Sequence, residues 1–453
     1  MQVTLINHAC VKLALGDVVI LCDPWLSGPA FNAGWDLLIK TPLPVDQVME
    51  GVTHIWVSHE HPDHFVPKFF SDIAARYSSV PVLFQETRDK RIKSFVESRG
   101  FRVTELPDRK PQQVGNVRVI CGVSEFYDSW LHLTDGKESI LNLNDCAEGD
   151  DAELRNIARL TGPIDLLLTQ FSYAAWKGGR ANAQFRQIAA RRKLETIAAQ
   201  IKALAPRAVV PFASFVYFSN TENSYLNDHI NRPEDARAAI AKAGAEPVIL
   251  FPGETFDSTK PHDNTPALNS YAEVYEGLDT LPLRGTGESV PLERLGREFE
   301  GYREGIYKKN SRALIALLRR LPVLGAFHPV TIRLTDLNQS VSVSIVDGFA
   351  AVPVPEGGED VAMHSSSLSF IFNNAFGYDT LTVNGRFEAT PEGFGKMTKS
   401  LAVGSLNAMG LAVSPGLVMN LKVVVMLLRR LAGVVRNMTQ GNRQRASRAA
   451  QET

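Results

Sequence analysis

Residues 54–65 read HIWVSHEHPDHF, an apolar strand followed at once by a loop dense in imidazole and carboxylate groups. The loop contains the pattern H-x-H-x-D-H, formed by His59, His61, Asp63 and His64. Three imidazoles and a carboxylate within six residues cannot all find partners in a protein core, because buried polar groups need hydrogen bonds or ions. The pattern therefore predicts two metal ions, the first held by His59 and His61 and the second by Asp63 and His64.

Further ligands are expected at the ends of later strands, because two histidines leave the first ion under-coordinated. Glu125, in GVSEFYDSW, stands at such an end, and we favour it over His132, which lies inside the alternating strand WLHLT. Asp145 directly follows the apolar strand ILNLN. A carboxylate there can bridge two cations, and burying it without a partner would cost free energy. Glu125 and Asp145 are the ligands predicted from this part of the chain.

The last ligand is expected after the strand RAVVPF. His229 is the only imidazole within reach, and the alternatives are Asn220, Glu222 and Asp228.

Asp23, in CDPWLSG, opens a loop beside the same sheet edge. We predict that it holds a histidine tautomer or the loop backbone.

Catalytic and substrate-binding roles are assigned to a few further positions. Asp63 and Asp145 are the predicted catalytic residues. Lys177 and Arg180 flank a Gly-Gly turn and are suited to a phosphate or carboxylate, although exposed loop cations are usually just solvated. Trp176 and Tyr217 are the other candidate pocket groups.

The order of predicted elements indicates an α/β fold with two sheets packed face to face and helices outside. Strands predicted at VTLINHACVKLAL and DVVILCDPW are followed by strand–helix alternation as far as RVTEL. The same progression, from strands to strand–helix alternation, repeats between Gly115 and RAVVPF. Sheets of this kind bury one face against each other and the other against helices.

We divide the chain into four segments. Residues 1–255 form the metal-binding catalytic domain, and residues 256–300, rich in Gly, Pro, Thr and Asp, form a linker or covering arm. Residues 301–412 form a small α+β domain with strands at VTIRLTD, SVSVSIV and TLTVNGRF. Residues 413–453 form a basic amphipathic helix and tail, which either pack on that domain or make peripheral contact with an anionic membrane.

Composition excludes some partners. The chain has 48 Lys and Arg against 49 Asp and Glu, a net charge of −1, so no global field attracts nucleic acid. Its four cysteines show neither CxxC pairs nor the density of a disulfide scaffold. The N-terminus has no basic region followed by an apolar run. We expect reduced thiols, no signal peptide and a cytoplasmic location.

At the H-x-H-x-D-H loop the chain resembles the metallo-β-lactamase superfamily, whose hydrolases use this motif with two zinc ions. ILNLNDC, LLLTQFSYAAWKGG and FRQIAARRKLETIAAQIKALAPRAVVPFASF resemble the catalytic module of the cytidine monophosphate N-acetylneuraminate hydroxylases. This resemblance implies an αββα sandwich in the first domain. That family also has an N-terminal Rieske domain, whereas this sequence contains no C-x-H with a matching C-x-x-H. The resemblance then implies electrons from a separate ferredoxin or Rieske-type protein.

Two looser resemblances add to this interpretation. The diiron β-hydroxylases of chloramphenicol assembly share the fold and use a glutamate as a metal ligand, which Glu125 matches by position and type. DLNQSVSVSIVDG and GYDTLTVNGRF resemble sterol-carrier-like α+β domains, which implies a similar shape for the second domain.

The favoured function is that of a non-haem diiron oxygenase that hydroxylates or oxidises a polar, nucleotide-sugar-like small molecule. The alternative is a zinc-dependent hydrolase of an ester, lactone or phosphodiester, in which two metals lower the pKa of a bridging water. Two divalent metal ions are required by both, and oxygen ligands favour iron over zinc. A non-catalytic binding role is the third hypothesis, and the intact H-x-H-x-D-H loop argues against it.

Overall fold

The computed structural model describes residues 1–124, 128–146, 150–321, 324–354 and 358–414, which fall into two units. The first unit comprises Met1–Ala174, Gln187–Ser219 and His229–Pro282. The second comprises Ala175–Arg186, Asn220–Asp228 and the chain from Leu283 onward. Of the segment 413–453, predicted as a basic amphipathic helix and tail, residues 415–453 lie outside the described residues.

The first unit is built on two seven-stranded mixed sheets and a two-stranded one. Its strands are β1 (Gln2–Asn7), β2 (Cys10–Leu15), β3 (Val18–Cys22), β4 (Trp35–Leu37), β5 (His54–Val57), β6 (Val82–Gln85), β7 (Val103–Leu106), β8 (Gln112–Val114), β9 (Val117–Val123), β10 (Ser129–Thr134), β11 (Ser139–Asn144), β12 (Leu166–Gln170), β13 (Ala208–Phe212), β14 (Val216–Phe218), β15 (Glu246–Pro247) and β16 (Thr255–Asp257). The first sheet has the order β16-β1-β2-β3-β5-β6-β7, the second has the order β15-β13-β12-β11-β10-β9-β8, and β14 pairs with β4.

Helices cover the outer faces of both large sheets. They are α1 (Val45–Met49), α2 (Pro67–Tyr77), α3 (Arg91–Ser98), α4 (Asp151–Thr161), α5 (Ala183–Leu204), α6 (Pro233–Ala243) and α7 (Thr265–Glu276). One apolar cluster joins side chains of both sheets to α4 through α7, and another joins the first sheet to α1, α2 and α3. The predicted arrangement of two sheets between helical layers is therefore confirmed.

The polar loops lie together at one edge of this sandwich. Strands β3 and β5 run parallel, so Asp23, directly after β3, and the residues after β5 lie at the same edge. Strand β11 runs antiparallel to β10, which brings the residue after β11, Asp145, beside the residue before β10, Asp128. A hydrogen bond of 2.8 Å from Asn144 Nδ2 to Asp23 Oδ2 joins the two sheets here.

The first predicted strand, VTLINHACVKLAL, is in fact a hairpin. The chain turns at His8 and Ala9, and β1 pairs antiparallel with β2. Val11 of β2 pairs with Cys22 of β3, which brings the turn to the same edge as Asp23. The turn therefore places His8 among the polar loops.

The predicted linker 256–300 is largely part of the two units. Strand β16 pairs with β1, and α7 buries Ala267, Tyr271 and Tyr275 in the first core. These three residues recur every four positions, which is the spacing of buried residues on one face of a helix. The Gly- and Pro-rich sequence on either side of them had indicated a linker. The first unit extends to Pro282 instead of ending at residue 255.

The second unit has its own core and a five-stranded sheet of order β19-β18-β17-β20-β21. Its elements are α8 (Leu292–Lys309), α9 (Arg312–Arg319), β17 (Val330–Leu334), β18 (Gln339–Ser344), β19 (Gly348–Val352), β20 (Val361–Met363), α10 (Ser365–Asn373), α11 (Gly377–Asn384), β21 (Glu388–Ala389), α12 (Pro391–Leu401) and α13 (Val403–Ala408). Its likeness to sterol-carrier domains stays a prediction.

The predicted strand TLTVNGRF is wrong. Most of it belongs to helix α11, which buries Tyr378 and Leu381, three residues apart, and ends at Gly385 with a φ of 65°. Positive φ suits glycine at a helix end, and the helical spacing of buried residues outweighs the strand preference of the β-branched residues.

Among the helices that the structure describes, none has both the length and the apolar character needed to span a membrane.

Candidate metal centre

The H-x-H-x-D-H loop leaves the buried strand β5 and folds into a turn. His64 N and Phe65 N both donate to His61 O, at 3.0 and 2.8 Å. Phe65 packs into the cluster under the first sheet, which fixes the end of the loop. His59, Asp63 and His64 are buried and His61 is partly buried. The loop thus directs all four predicted ligands toward the edge between the sheets.

A first group of candidate ligands consists of His59, His61 and Asp128. The Nε2 atom of His59 lies 2.8 Å from Nδ1 of His61 and 3.6 Å from Oδ1 of Asp128. All three ligand atoms lie within 4.8 Å of one another. Burial lowers the pKa of His59 well below its usual range, and His64 and His61 add to the shift. A neutral imidazole is the form that binds a metal.

A second group consists of His8, Asp63 and His64, which are all buried. Oδ2 of Asp63 lies 3.2 Å from Nε2 of His8 and 3.2 Å from Nε2 of His64. Burial raises the pKa of Asp63, but the interactions with His64 and His8 outweigh burial and lower it well below its usual range. Asp63 is therefore a carboxylate.

Asp145 connects the two groups. With His59 and His64 it forms a third set of ligand atoms within 4.8 Å of one another, and its Oδ2 lies 3.6 Å from His64 Nε2. The set takes one histidine from each of the other groups. This is the placement expected of a carboxylate that bridges two cations.

These side chains fit a pair of cations. Among the described residues, buried Asp63 Oδ1 and His64 Nε2 make no hydrogen bond, although Nε2 lies at ion-pair distance from Asp63 Oδ2. Leaving such atoms unsatisfied costs about 1–3 kcal/mol each, and more for a charged group. Cations between the three groups would accept both lone pairs. Imidazole and carboxylate donors together suit iron, manganese and zinc.

A network behind His64 fixes its orientation. Asp23 Oδ2 lies 3.0 Å from His64 Nδ1 and accepts hydrogen bonds from Ser58 Oγ and Asn144 Nδ2, both at 2.8 Å. Asp23 Oδ1 accepts a hydrogen bond from Ser58 N. A carboxylate on Nδ1 leaves Nε2 for a metal. Asp23 therefore has the geometry of the predicted supporting residue.

The predicted last ligand is not found after β13. His229 ends the short 3-10 helix Ser224–His229, its Nε2 lies 3.4 Å from Gln187 Nε2, and it belongs to none of the three groups. The alternatives are engaged elsewhere, since Asp228 binds Arg186 at 2.7 Å and Glu222 binds Arg386 at 2.7 Å.

The remaining predicted site residues have structural contacts. Asn220 Nδ2 donates to Gly285 O at 3.1 Å. Arg180 stacks on Tyr225 in the second unit, and Trp176 stacks on Phe387 there. Lys177 lies in the same segment of the second unit.

Tyr217 and Glu125 complete the predicted set. Tyr217 is buried in the first unit and its hydroxyl donates to Pro282 O at 2.9 Å, which makes it a packing residue. Glu125 lies outside the described residues, so its role stays a prediction.

His8 and Asp128 are the candidate ligands that the sequence did not suggest. The sequence signal for His8 was the polar pair Asn7-His8, which interrupts an otherwise apolar alternation and marks the turn of a hairpin. Asp128 lies three positions beyond Glu125 in the loop before β10, and its position depends on how β10 pairs.

His132 lies inside β10 and belongs to none of the groups, as the packed alternative predicted. It is fully buried, and neither ring nitrogen has a hydrogen-bond partner among the described residues. Burial lowers the pKa of its imidazole to about 4, and Arg118 adds to the shift. The folded protein therefore holds His132 neutral.

Acid should destabilise the protein partly through His132. The pKa of His132 is lower in the folded state than in the unfolded state, where it is about 6.5. The neutral imidazole therefore contributes its full unfolding free energy above about pH 6.5, and this contribution is lost as the pH falls toward 4. Between pH 7 and pH 5, the wild type should lose about 2 kcal/mol more unfolding free energy than His132→Leu. Urea titrations at several pH values measure this. Identical pH dependence in the two proteins would contradict it.

The fold and the loop together define the class of protein. Two mixed sheets between helices, with H-x-H-x-D-H at the edge where strand ends collect, are the metallo-β-lactamase fold. No protein-family model matches the chain.

Sequence relatives specify the likeness further. The chain is 29% identical over 278 residues to the human protein described as inactive cytidine monophosphate-N-acetylneuraminic acid hydroxylase, covering 56% of this chain and 54% of that protein. It is 30% identical over 245 residues to the Cricetulus griseus cytidine monophosphate-N-acetylneuraminic acid hydroxylase, covering 50% of this chain and 42% of that protein. The chain thus spans about half the length of the curated relatives it matches.

Solved structures of the same fold are also similar. CmlA, a diiron β-hydroxylase from Streptomyces venezuelae, is 18% identical with a TM-score of 0.40, covering 56% of this chain and 53% of that one. An isothiocyanate hydrolase from Delia radicum gut bacteria is 17% identical with a TM-score of 0.40, covering 57% of this chain and 98% of that one.

Proposed function

We propose that this protein is a dinuclear metalloenzyme and that its centre holds two iron ions for the oxidation of a polar small molecule. The observation that carries the proposal is the presence of a carboxylate in each of the three ligand groups, namely Asp128, Asp63 and Asp145. Carboxylate oxygens shift the preference of an imidazole site toward iron and manganese. Sequence similarity to hydroxylases supports the same chemistry.

In this proposal the protein's own residues supply geometry and charge. His59, His61 and Asp128 would hold one ion, and His8, Asp63 and His64 would hold the other. Asp145, grouped with one histidine from each set, would be placed between the two ions, and its negative charge would offset part of theirs. A bound iron pair would supply the activation and reduction of dioxygen.

The partners follow from that chemistry. An oxygenase needs electrons, so we propose a ferredoxin or Rieske-type protein as donor. The substrate is proposed to be a nucleotide-sugar-like molecule, by analogy with the hydroxylases to which the sequence is similar. A cytoplasmic location is proposed because all four cysteines are unpaired and buried.

A zinc-dependent hydrolase is the second candidate. One observation favours it: His8 adds a fourth histidine to the candidate ligands, and the sequence alone offered three in the loop. A pair of zinc ions would lower the pKa of a bound water and polarise an ester, lactone or phosphodiester. This reaction needs no reductant.

Oxygen uptake separates the two candidates. We expect protein loaded with iron(II) and fully reduced to consume dioxygen in proportion to its iron content, and to consume it repeatedly when a ferredoxin and its reductase are added. An oxygen electrode measures both. Asp63→Asn, which removes a charge from the second group, should lower the uptake. Hydrolysis of an ester, lactone or phosphodiester without reductant, combined with no oxygen uptake, would overturn the oxygenase proposal.

A further inference from the structure

Lys193 lies on the buried side of helix α5. The side chains of Ala190, Ile197 and Ile201 on this helix are buried in the core of the first unit, at helical spacing. Lys193 is three positions from Ala190 and four from Ile197, so it occupies the same face and is partly buried. Ordinarily an apolar residue fills such a position, because burying an ammonium group costs free energy. A polar group in the protein interior must therefore interact with the Lys193 ammonium group and offset this cost.

That partner is Gln170, the last residue of β12. Lys193 Nζ donates to Gln170 Oε1. Gln170 Nε2 in turn donates to Asp145 Oδ1 at 3.0 Å and lies 3.4 Å from Ala213 O. A chain of two hydrogen bonds thus connects Lys193 to Asp145, the carboxylate that lies near one histidine of each of the other two groups.

The direction of these hydrogen bonds is fixed at both ends. An ammonium group only donates, so it must meet the amide oxygen, and a carboxylate only accepts, so it must meet the amide nitrogen. Without Lys193, only the nitrogen end of the Gln170 amide would be held, and the side chain would be fixed less firmly against Asp145. With Lys193 in place, Gln170 holds Oδ1 of Asp145, and Oδ2 stays 3.6 Å from His64 Nε2 on the metal side.

Electrostatics support this arrangement. Burial lowers the pKa of Lys193 to about 8, and the carboxylates of Asp145 and Asp128 oppose the shift. Lys193 therefore remains mainly charged at pH 7 and lies within the field of two candidate ligands.

We propose that Lys193 is a positioning residue of the metal centre, which acts through Gln170 to fix which oxygen of Asp145 faces the metals. The inference rests on the proposed two-metal centre. It assigns to Lys193 no contact with substrate or metal. Groups that orient a metal ligand in this way typically contribute 10–100-fold in metal affinity.

Titration of the metal-free protein with Co²⁺, followed by visible absorption and chelator competition, tests the proposal. We expect Lys193→Met to weaken at least one of two Co²⁺ binding steps by about 10–100-fold. Gln170→Leu should have the same effect, and the double variant should be no weaker than either single variant, because both changes break the same chain. Lys193→Arg, which keeps a charged donor, should recover most of the affinity.

A matched control lies on the same helix. Gln200 is buried on α5 and accepts a hydrogen bond from Thr169 Oγ1 at 2.8 Å, one residue before Gln170. Gln200→Met removes a buried hydrogen bond between the same two elements, and we expect it to lower the melting temperature without changing Co²⁺ affinity. Lys202→Met removes an exposed charge and should change neither.

The possible results distinguish failure of the positioning role of Lys193 from failure of the proposed two-metal centre. Two Co²⁺ ions in the wild type with unchanged affinity in Lys193→Met and Gln170→Leu would overturn the positioning role alone. No Co²⁺ binding by the wild type would overturn the metal centre and the inference with it. Should Lys193→Met fail to fold, Gln170→Leu and Lys193→Arg give the same comparison.

Discussion

His64→Ala is expected to bind at most one metal ion per chain, with an affinity reduced more than about 100-fold, beyond the range typical of residues that only orient a ligand. His64 belongs to two of the three ligand groups, with Nε2 3.2 Å from Asp63 Oδ2 and 3.6 Å from Asp145 Oδ2. Removing it would withdraw a ligand from one ion and would also remove the imidazole that lies beside Asp145. Elemental analysis after dialysis measures the bound metal.

His229→Ala is the matched control for this prediction. His229 was predicted from the sequence to be a metal ligand, whereas in the structure it lies beside Gln187 and outside the three groups. We expect the control variant to keep the metal content of the wild type. Loss of metal from His229→Ala with normal content in His64→Ala would show that the ligand groups are assigned wrongly.

Asp23→Ala should lower both stability and metal affinity. Asp23 is fully buried and contacts Ser58, Asn144 and His64, so its removal leaves several donors without an acceptor. Breaking a buried charged network of this kind typically costs about 3–5 kcal/mol. His64 would also lose the partner that holds its Nδ1, with a further loss of about 10–100-fold in metal affinity.

Asp23→Asn provides the comparison. Asp23 has a φ of 44°, a left-handed conformation that asparagine tolerates better than alanine. The amide oxygen still accepts from Ser58, so we expect a smaller loss of unfolding free energy than in Asp23→Ala. Urea unfolding of the metal-free proteins gives the stability term, and Co²⁺ titration gives the affinity term. Equal stability of Asp23→Ala and the wild type would contradict the network.

The sequence predicted the parts of the centre that are local. His59, His61, Asp63 and His64 occur within six residues after a strand, and Asp145 directly follows another, so chain order alone brought them to one edge. The layered arrangement of sheets and helices followed from the order of the elements in the same way.

The missed parts depend on tertiary pairing. His8 reaches the edge only because β1 and β2 form a hairpin, and Asp128 only because β10 pairs antiparallel with β11. Asp228 was one of the alternative ligands considered from the sequence, but in the structure it pairs with a buried arginine, Arg186. A one-dimensional pattern does not distinguish an acidic group that binds a metal from one that binds a cationic side chain.

Metal content, together with an optical spectrum, tests the central claim most directly. Protein produced in iron-replete medium should contain about two iron ions per chain and show a visible or near-ultraviolet absorption band characteristic of a coupled diiron centre. His64→Ala should lose both signals. Two zinc ions without the band would leave the dinuclear site standing and replace the oxygenase with a hydrolase. Less than one metal ion of any kind in the wild type would contradict the metal centre itself.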